Sequence, residues 1–140
     1  MSTALPCVLL VEPQFVLRRT LVAVGRDLAV ATFHEAAHLE RARTLLMAQP
    51  YQAVVLDFEE PARALALLRE LREGAFATAS ETRVVVVAAA LRAEDEDRLQ
   101  RWGVAATLGR PFKISQLLER LAGIGGAQGA VAAEPVGVAS

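Results

Sequence analysis

Short apolar runs alternate along the chain with stretches in which apolar side chains return every three or four residues. The runs CVLLV (7–11), LAVATF (28–33), AVVLD (53–57), VVVV (84–87) and VAATL (104–108) have strand length. The stretches between them carry helical spacing. Residues 13–24 offer Phe15, Val16, Leu21 and Val24 as an apolar face, with Gly25 placed to close the helix. Residues 36–47 follow, ended by Gln49 and Pro50, then 62–73, 93–101 and 114–121, the last starting near Lys113. The order is strand then helix, five times over. Strands apolar at nearly every position need cover on both faces, which a parallel sheet between two helical layers supplies. The expected class is therefore α/β, a five-stranded parallel sheet with helices on both faces.

This pattern fills residues 1–122, enough for one domain with a real core. From Gly123 the chain runs GIGGAQGAVAAEPVGVAS, without periodicity, and is expected to be a flexible tail over 123–140 with a weak helix option at 127–134. The 15 basic and 16 acidic residues leave a net charge of -1, which argues against nucleic acid or an anionic membrane as partner. The N-terminus has no basic segment before its apolar stretch, and charges break every long apolar run, so a cytoplasmic protein is expected. The single cysteine, Cys7, excludes an internal disulfide and fits a small buried core residue.

Candidate chemistry collects where strands end. In open parallel sheets, ligands bind outside the carboxyl ends of the strands, and Glu12, Asp57, Ala88 and Arg110 all fall at that edge. Glu12 and Asp57 are the candidate metal ligands. Magnesium wants several oxygen ligands in near-octahedral geometry, and Pro13 offers none. A third carboxylate would have to come from Glu59 or Glu60, which makes a poor set, so no cofactor is expected and magnesium stands as the alternative. The chain has no phosphate loop, dinucleotide fingerprint or nucleophile elbow. His34 is expected in a strand-to-helix loop, and His34 and His38 lack the partners that would complete a metal site. The run EDED (94–97) fits a solvated face in the first turn of its helix.

Three segments carry a resemblance: VLLVEP at the first strand, VVLDFEEP around Asp57 and RWGVAATLGRPF around the last strand. Over residues 7–122 the chain resembles the receiver domain of bacterial two-component response regulators, in an atypical, pseudo-receiver form. The resemblance implies the flavodoxin-like (βα)5 receiver fold, with Asp57 at the phospho-acceptor position. It also implies changes at the positions that serve the acceptor. The pair of acids after the first strand is Glu12 and Pro13, the switch hydroxyl falls on Ala88, the switch aromatic falls near Thr107, and the lysine before proline is Arg110, on a peptide bond that is often cis in the family. Arginine is a planar fork rather than a point charge, so it is placed to clamp Asp57 or Glu12 in a standing salt bridge.

The function this implies is a phosphorylation-independent protein–protein interaction module in bacterial signalling, without enzymatic activity and without catalytic residues. The alternative is a working phospho-receiver that accepts a phosphoryl group on Asp57 with magnesium. The expected partner is another signalling protein, or a second copy through the face built from residues 93–101, 104–108 and 113–121. Arg98, Arg101, Trp102 and Lys113 are the candidate interface residues, Trp102 being either packing at a helix end or an exposed anchor.

Overall fold

The structure is a computed structural model that describes residues 5–122; the expected tail and its helix option lie outside the described residues. The elements are β1 (Cys7–Val11), α1 (Phe15–Asp27), β2 (Thr32–Ala36), α2 (Leu39–Ala48), β3 (Ala53–Asp57), α3 (Pro61–Arg72), β4 (Arg83–Ala88), α4 (Ala93–Arg101), β5 (Ala106–Gly109) and α5 (Ile114–Leu121). The strands form one sheet in the order β2-β1-β3-β4-β5, and every pairing is parallel. This is the expected five-stranded (βα)5 arrangement. Because β1 sits between β2 and β3, the chain leaves it in one direction and returns on its other side. That reversal opens a crevice at the carboxyl ends of β1 and β3.

The apolar strands split by the two-residue period of the pleat. Leu9, Val11, Val54, Leu56, Val84 and Val86 face one core, closed by Leu46 of α2, Leu67, Leu68 and Leu71 of α3 and Leu99 of α4. Val8, Leu10, Ala53, Val55, Val85 and Val87 face the other, closed by Leu21 of α1 and Leu117, Leu118 and Leu121 of α5. Two dry faces account for strands with no polar alternation.

Six local expectations are corrected. The second strand is not 28–33 but Thr32–Ala36, and α1 runs on to Asp27 through Gly25. Gly25 is buried inside the helix because β2 crosses close beneath it: a Cβ there would lie 2.5 Å from Phe33 Cε2. The left-handed turn residue is Ala29, with φ of 56°, while Leu28 caps the helix from an exposed position. His34 consequently lies within β2, not in a loop, and shares a face with Cys7. The apolar face foreseen for α1 is wrong in part: Leu21 is buried, but Phe15 and Val16 are 65% and 74% exposed. The second helix starts at Leu39 rather than 36, because His38 caps it by accepting from the backbone N–H of Arg41 at 3.2 Å. Pairing of the last strand with β4 begins at Ala106 rather than Val104.

One arginine ties three segments together. Arg72, in the last turn of α3, donates to the carbonyls of Trp102 (2.7 Å), Gly103 (3.0 Å), Ser80 (2.8 Å) and Thr82 (2.7 Å). It thereby satisfies the end of α4 and the loop into β4, where carbonyls have no helical or ladder partner. Burial lowers its pKa, and the nearby Glu81 carboxylate raises it in part. Arg72→Met, which keeps the stem and removes the donors, is expected to cost about 2 kcal/mol in urea denaturation, since hydrogen bonds from a charged group contribute about 1.5–3 kcal/mol. Gly25→Ala is expected to cost about 1–3 kcal/mol by overpacking against Phe33.

Candidate functional site

Each side chain at the sheet edge is held by a ladder bond that continues past its strand. Glu12 N–H donates to Ala36 O at 3.0 Å, Phe58 N–H to Val87 O at 2.9 Å, and Arg110 N–H to Ala88 O at 2.9 Å. Glu12, Asp57, Ala88 and Arg110 are therefore brought together as the strand ends foreshadowed. Arg110 precedes a cis peptide bond to Pro111.

The centre is a guanidinium between two carboxylates. Arg110 Nη2 donates to Glu12 Oε1 at 2.5 Å and to Asp57 Oδ1 at 2.7 Å. The other carboxylate oxygens accept from the backbone: Glu12 Oε2 from Gln14 N–H at 3.0 Å, and Asp57 Oδ2 from Glu59 N–H at 3.0 Å. Glu12 is 2% exposed and Asp57 9%. Burial alone lowers the Arg110 pKa, but the hydrogen bonds to Glu12 and Asp57, and their charges, outweigh it and raise the pKa overall. The Arg110 side chain also lies over the Phe112 ring, 6.0 Å from its centroid.

This arrangement does not fit magnesium. All four carboxylate oxygens of Glu12 and Asp57 already have an N–H donor. Pro13 supplies no oxygen from its side chain, Glu59 is exposed, and Glu60 pairs with Arg63 at 3.0 Å. Among the described residues no group of three or more His, Cys, Asp or Glu side chains is placed to hold a metal. A crevice of about 120 Å³ opens beside Asp57, walled by Pro13, His38, Leu39 and Glu60. Ala88, 4% exposed, presents only a methyl group at the end of β4, and Thr107 stands exposed in β5.

Two expectations about charge change. The EDED run is not wholly solvated: Asp95 is 4% exposed, with Arg92 Nε at 3.8 Å and Arg98 Nη1 at 3.7 Å. Positions four apart share a helix face, and Asp95 shares the inward one with Leu99. The four candidate interface residues do not line one groove. Arg98, Arg101 and Trp102 line a groove shared with α3, whereas Lys113 caps α5 on the opposite layer of the sheet. Trp102 is half-buried and packed against the core beneath α2, α3 and α4.

A cluster that sequence reasoning missed lies at the β1–β2 side. Cys7 is half-buried rather than fully buried, with Sγ 3.5 Å from His34 Nε2 and accepting from Gln49 Nε2 at 3.7 Å. His34 Nδ1 is 2.9 Å from the Tyr51 hydroxyl. Burial raises the pKa of both the Cys7 thiol and the Tyr51 phenol. The only sequence signal was a shared strand face, hidden by the misplaced second strand.

No protein-family profile and no curated protein matches the chain. Among solved structures, a response regulator receiver protein from Pseudomonas putida is 26% identical with a TM-score of 0.73, covering 85% of this chain and 97% of that one. The Vibrio cholerae chemotaxis protein CheY4 is 18% identical with a TM-score of 0.72, covering 84% and 97%. A response regulator from Burkholderia pseudomallei with a phosphorylated aspartic acid is 18% identical with a TM-score of 0.68, covering 83% of this chain and 66% of that one. The fold is thus that of response-regulator receiver domains. Among the described residues no helix is long and apolar enough to cross a membrane.

Arg110→Ala leaves two buried carboxylates without their cation, and a stability loss of about 2–4 kcal/mol is expected in urea denaturation, the lower end reflecting partial exposure of the arginine. The same variant is expected to gain a magnesium-dependent rise in Tm, while the wild-type Tm stays unchanged by magnesium.

Proposed function

We propose that this chain is a receiver-type signalling module that binds a partner protein without needing phosphorylation, and that it performs no catalytic turnover. The observation that carries the reading is the Arg110 bridge, with one guanidinium nitrogen bonded to both Glu12 and Asp57. One oxygen of Asp57 already takes a charge-assisted hydrogen bond from Arg110. Such bonds are roughly twice as strong as neutral ones, and breaking this one strands a buried charge. Ala88 adds a second obstacle, because a methyl group cannot hold a phosphoryl oxygen in place of a hydroxyl. The site therefore supports one standing conformation better than a phosphorylation-driven exchange between two. The partner would be another signalling protein in the cytoplasm, or a second copy. For a second copy, the reading keeps the face built from residues 93–101, 104–108 and 113–121, which includes a groove walled by Glu96, Asp97, Val104 and Thr107.

A second reading is supported by the similar structures. They are receiver domains, and the Burkholderia regulator carries a phosphorylated aspartic acid. Asp57 stands at the end of β3 beside an open crevice, as an acceptor would. On this reading Arg110 swings away from Asp57 and pairs with the phosphoryl group.

Intact-mass measurement after treatment with acetyl phosphate and magnesium separates the two. No phosphoryl adduct is expected on the wild-type chain. Asp57→Asn keeps one acceptor oxygen for Arg110 but sets its amide nitrogen against the Glu59 N–H, and is expected to cost about 1–3 kcal/mol in urea denaturation. An adduct on the wild type that disappears in Asp57→Asn would decide for the phospho-receiver.

A further inference from the structure

The charges of α4 are sorted by side. Glu96 and Asp97 face the groove toward β5, while Arg98 and Arg101 face the groove toward α3. The second groove, of about 400 Å³, is lined by Leu65, Ala66, Arg69, Arg98, Arg101 and Trp102. At Arg101 and Trp102 it meets a further hollow of about 370 Å³ that runs to Ser80 and Glu81. Basic residues in the last turn of a helix favour its dipole, and that alone accounts for Arg69 on α3 and for Arg98 and Arg101 on α4. It does not account for all three lining one groove over half-buried Leu65, Ala66 and Trp102.

The pairing of these arginines differs. Arg98 reaches Asp95 at 3.7 Å, but no ion pair among the described residues includes Arg69 or Arg101. Both are exposed. Arg72, the remaining arginine at this end, is committed to four backbone carbonyls and is not free for a ligand. The groove thus offers two uncommitted guanidinium groups on either side of an apolar floor.

We propose that the groove between α3 and α4 is a docking site for an acidic amphipathic peptide segment of a partner protein. Its carboxylates pair with Arg69 and Arg101, and its apolar side chains rest on Leu65 and the Trp102 ring. Arginine forks match carboxylates in two-point geometry, and an amphipathic helix in a groove buries its apolar stripe while its charged flanks meet the rims. A nucleic acid fits less well. The chain is net acidic, Glu94, Glu96 and Asp97 project from the same helix, and Trp102 is packed against the core instead of standing clear for a base to stack on. The proposal rests on the interaction-module reading above, but the groove does not depend on the state of Asp57.

Trp102 is the sole tryptophan of the chain, so its emission reports on the groove directly. The probe is a synthetic tryptophan-free peptide with leucines at helical spacing and glutamates elsewhere, titrated into the full chain. The comparison probes are the same peptide with lysine for glutamate, and single-stranded DNA. The glutamate peptide is expected to shift Trp102 emission and to bind more weakly as salt rises. The double variant Arg69→Glu/Arg101→Glu is expected to lose at least about tenfold in affinity, equivalent to about 1.4 kcal/mol. Arg69→Gln/Arg101→Gln, which only neutralises the rims, is expected to fall between that variant and wild type. Lys113→Glu, on the opposite layer, is expected to bind like wild type. Equal binding of the lysine peptide, tighter binding of the DNA, an unmoved emission spectrum, or undiminished binding by the double variant each overturns the proposal. Repeating the titration after acetyl phosphate treatment separates the two readings. An affinity that then changes together with an adduct on Asp57 overturns phosphorylation independence and leaves the groove assignment standing.

Discussion

Two carboxylates and one guanidinium meet at the end of the sheet, and the site depends on how their charges are compensated. Glu12 and Asp57 are nearly dry, and Arg110 is the cation that touches both. One positive charge against two negative ones leaves an excess that the backbone N–H groups of Gln14 and Glu59 must carry. Buried ion pairs of this kind contribute little net stability compared with apolar packing, because desolvation cancels much of the attraction. Their effect is on specificity: removing the cation costs far more than the intact group contributes. The same accounting explains why magnesium and Arg110 are competitors here. Each carboxylate oxygen already accepts one N–H, so a metal would have to share these oxygens with Arg110 and the backbone.

The sheet makes this meeting unavoidable. Ladder bonds extend beyond the strands at Glu12, Phe58 and Arg110, so the backbones carrying the charged groups have little freedom. The strand order puts β1 beside β3, with β5 two positions from β3 and three from β1, which leaves Arg110 to span the gap with a long side chain. At the opposite ends of α3 and α4 another arginine does comparable work for the backbone. Arg72 gathers four carbonyls and ties the end of α3 to the end of α4 and the loop into β4. Position, more than residue type, separates the arginines bonded within the fold from Arg69 and Arg101, which are exposed and in no ion pair among the described residues.

Legibility varied with how much each element depends on its neighbours. β3, α4 and α5 appear at the bounds that periodicity predicts. Their patterns are self-contained: an apolar run, a charged helix, a leucine-rich helix. The second strand and the end of α1 do not. LAVATF has a strand's composition, yet its first residues are used to turn the chain, and Gly25 marks close approach to Phe33 instead of a helix end. A glycine that stops a helix and a glycine that lets a strand come near are identical in sequence. Phe15 and Val16 are equally ambiguous, since helical spacing predicts a face but not what covers it.

The sequence by itself determined the architecture, the edge at which the candidate site lies and the four residues that reach it. Those follow from local periodicity and from the rule that strands of a parallel sheet end on one side. It also showed that Pro13 brings no carboxylate, Ala88 no hydroxyl and Thr107 no aromatic ring, because these are visible in the residue name. Tertiary structure alone decided that Arg110 bonds both acids at once, that Asp95 turns inward, and that Arg98, Arg101 and Trp102 line the α3 groove and Lys113 does not. The physical reason is the same in each case. Which way a charged side chain points depends on the helix or strand packed beside it, and that neighbour lies far away in sequence.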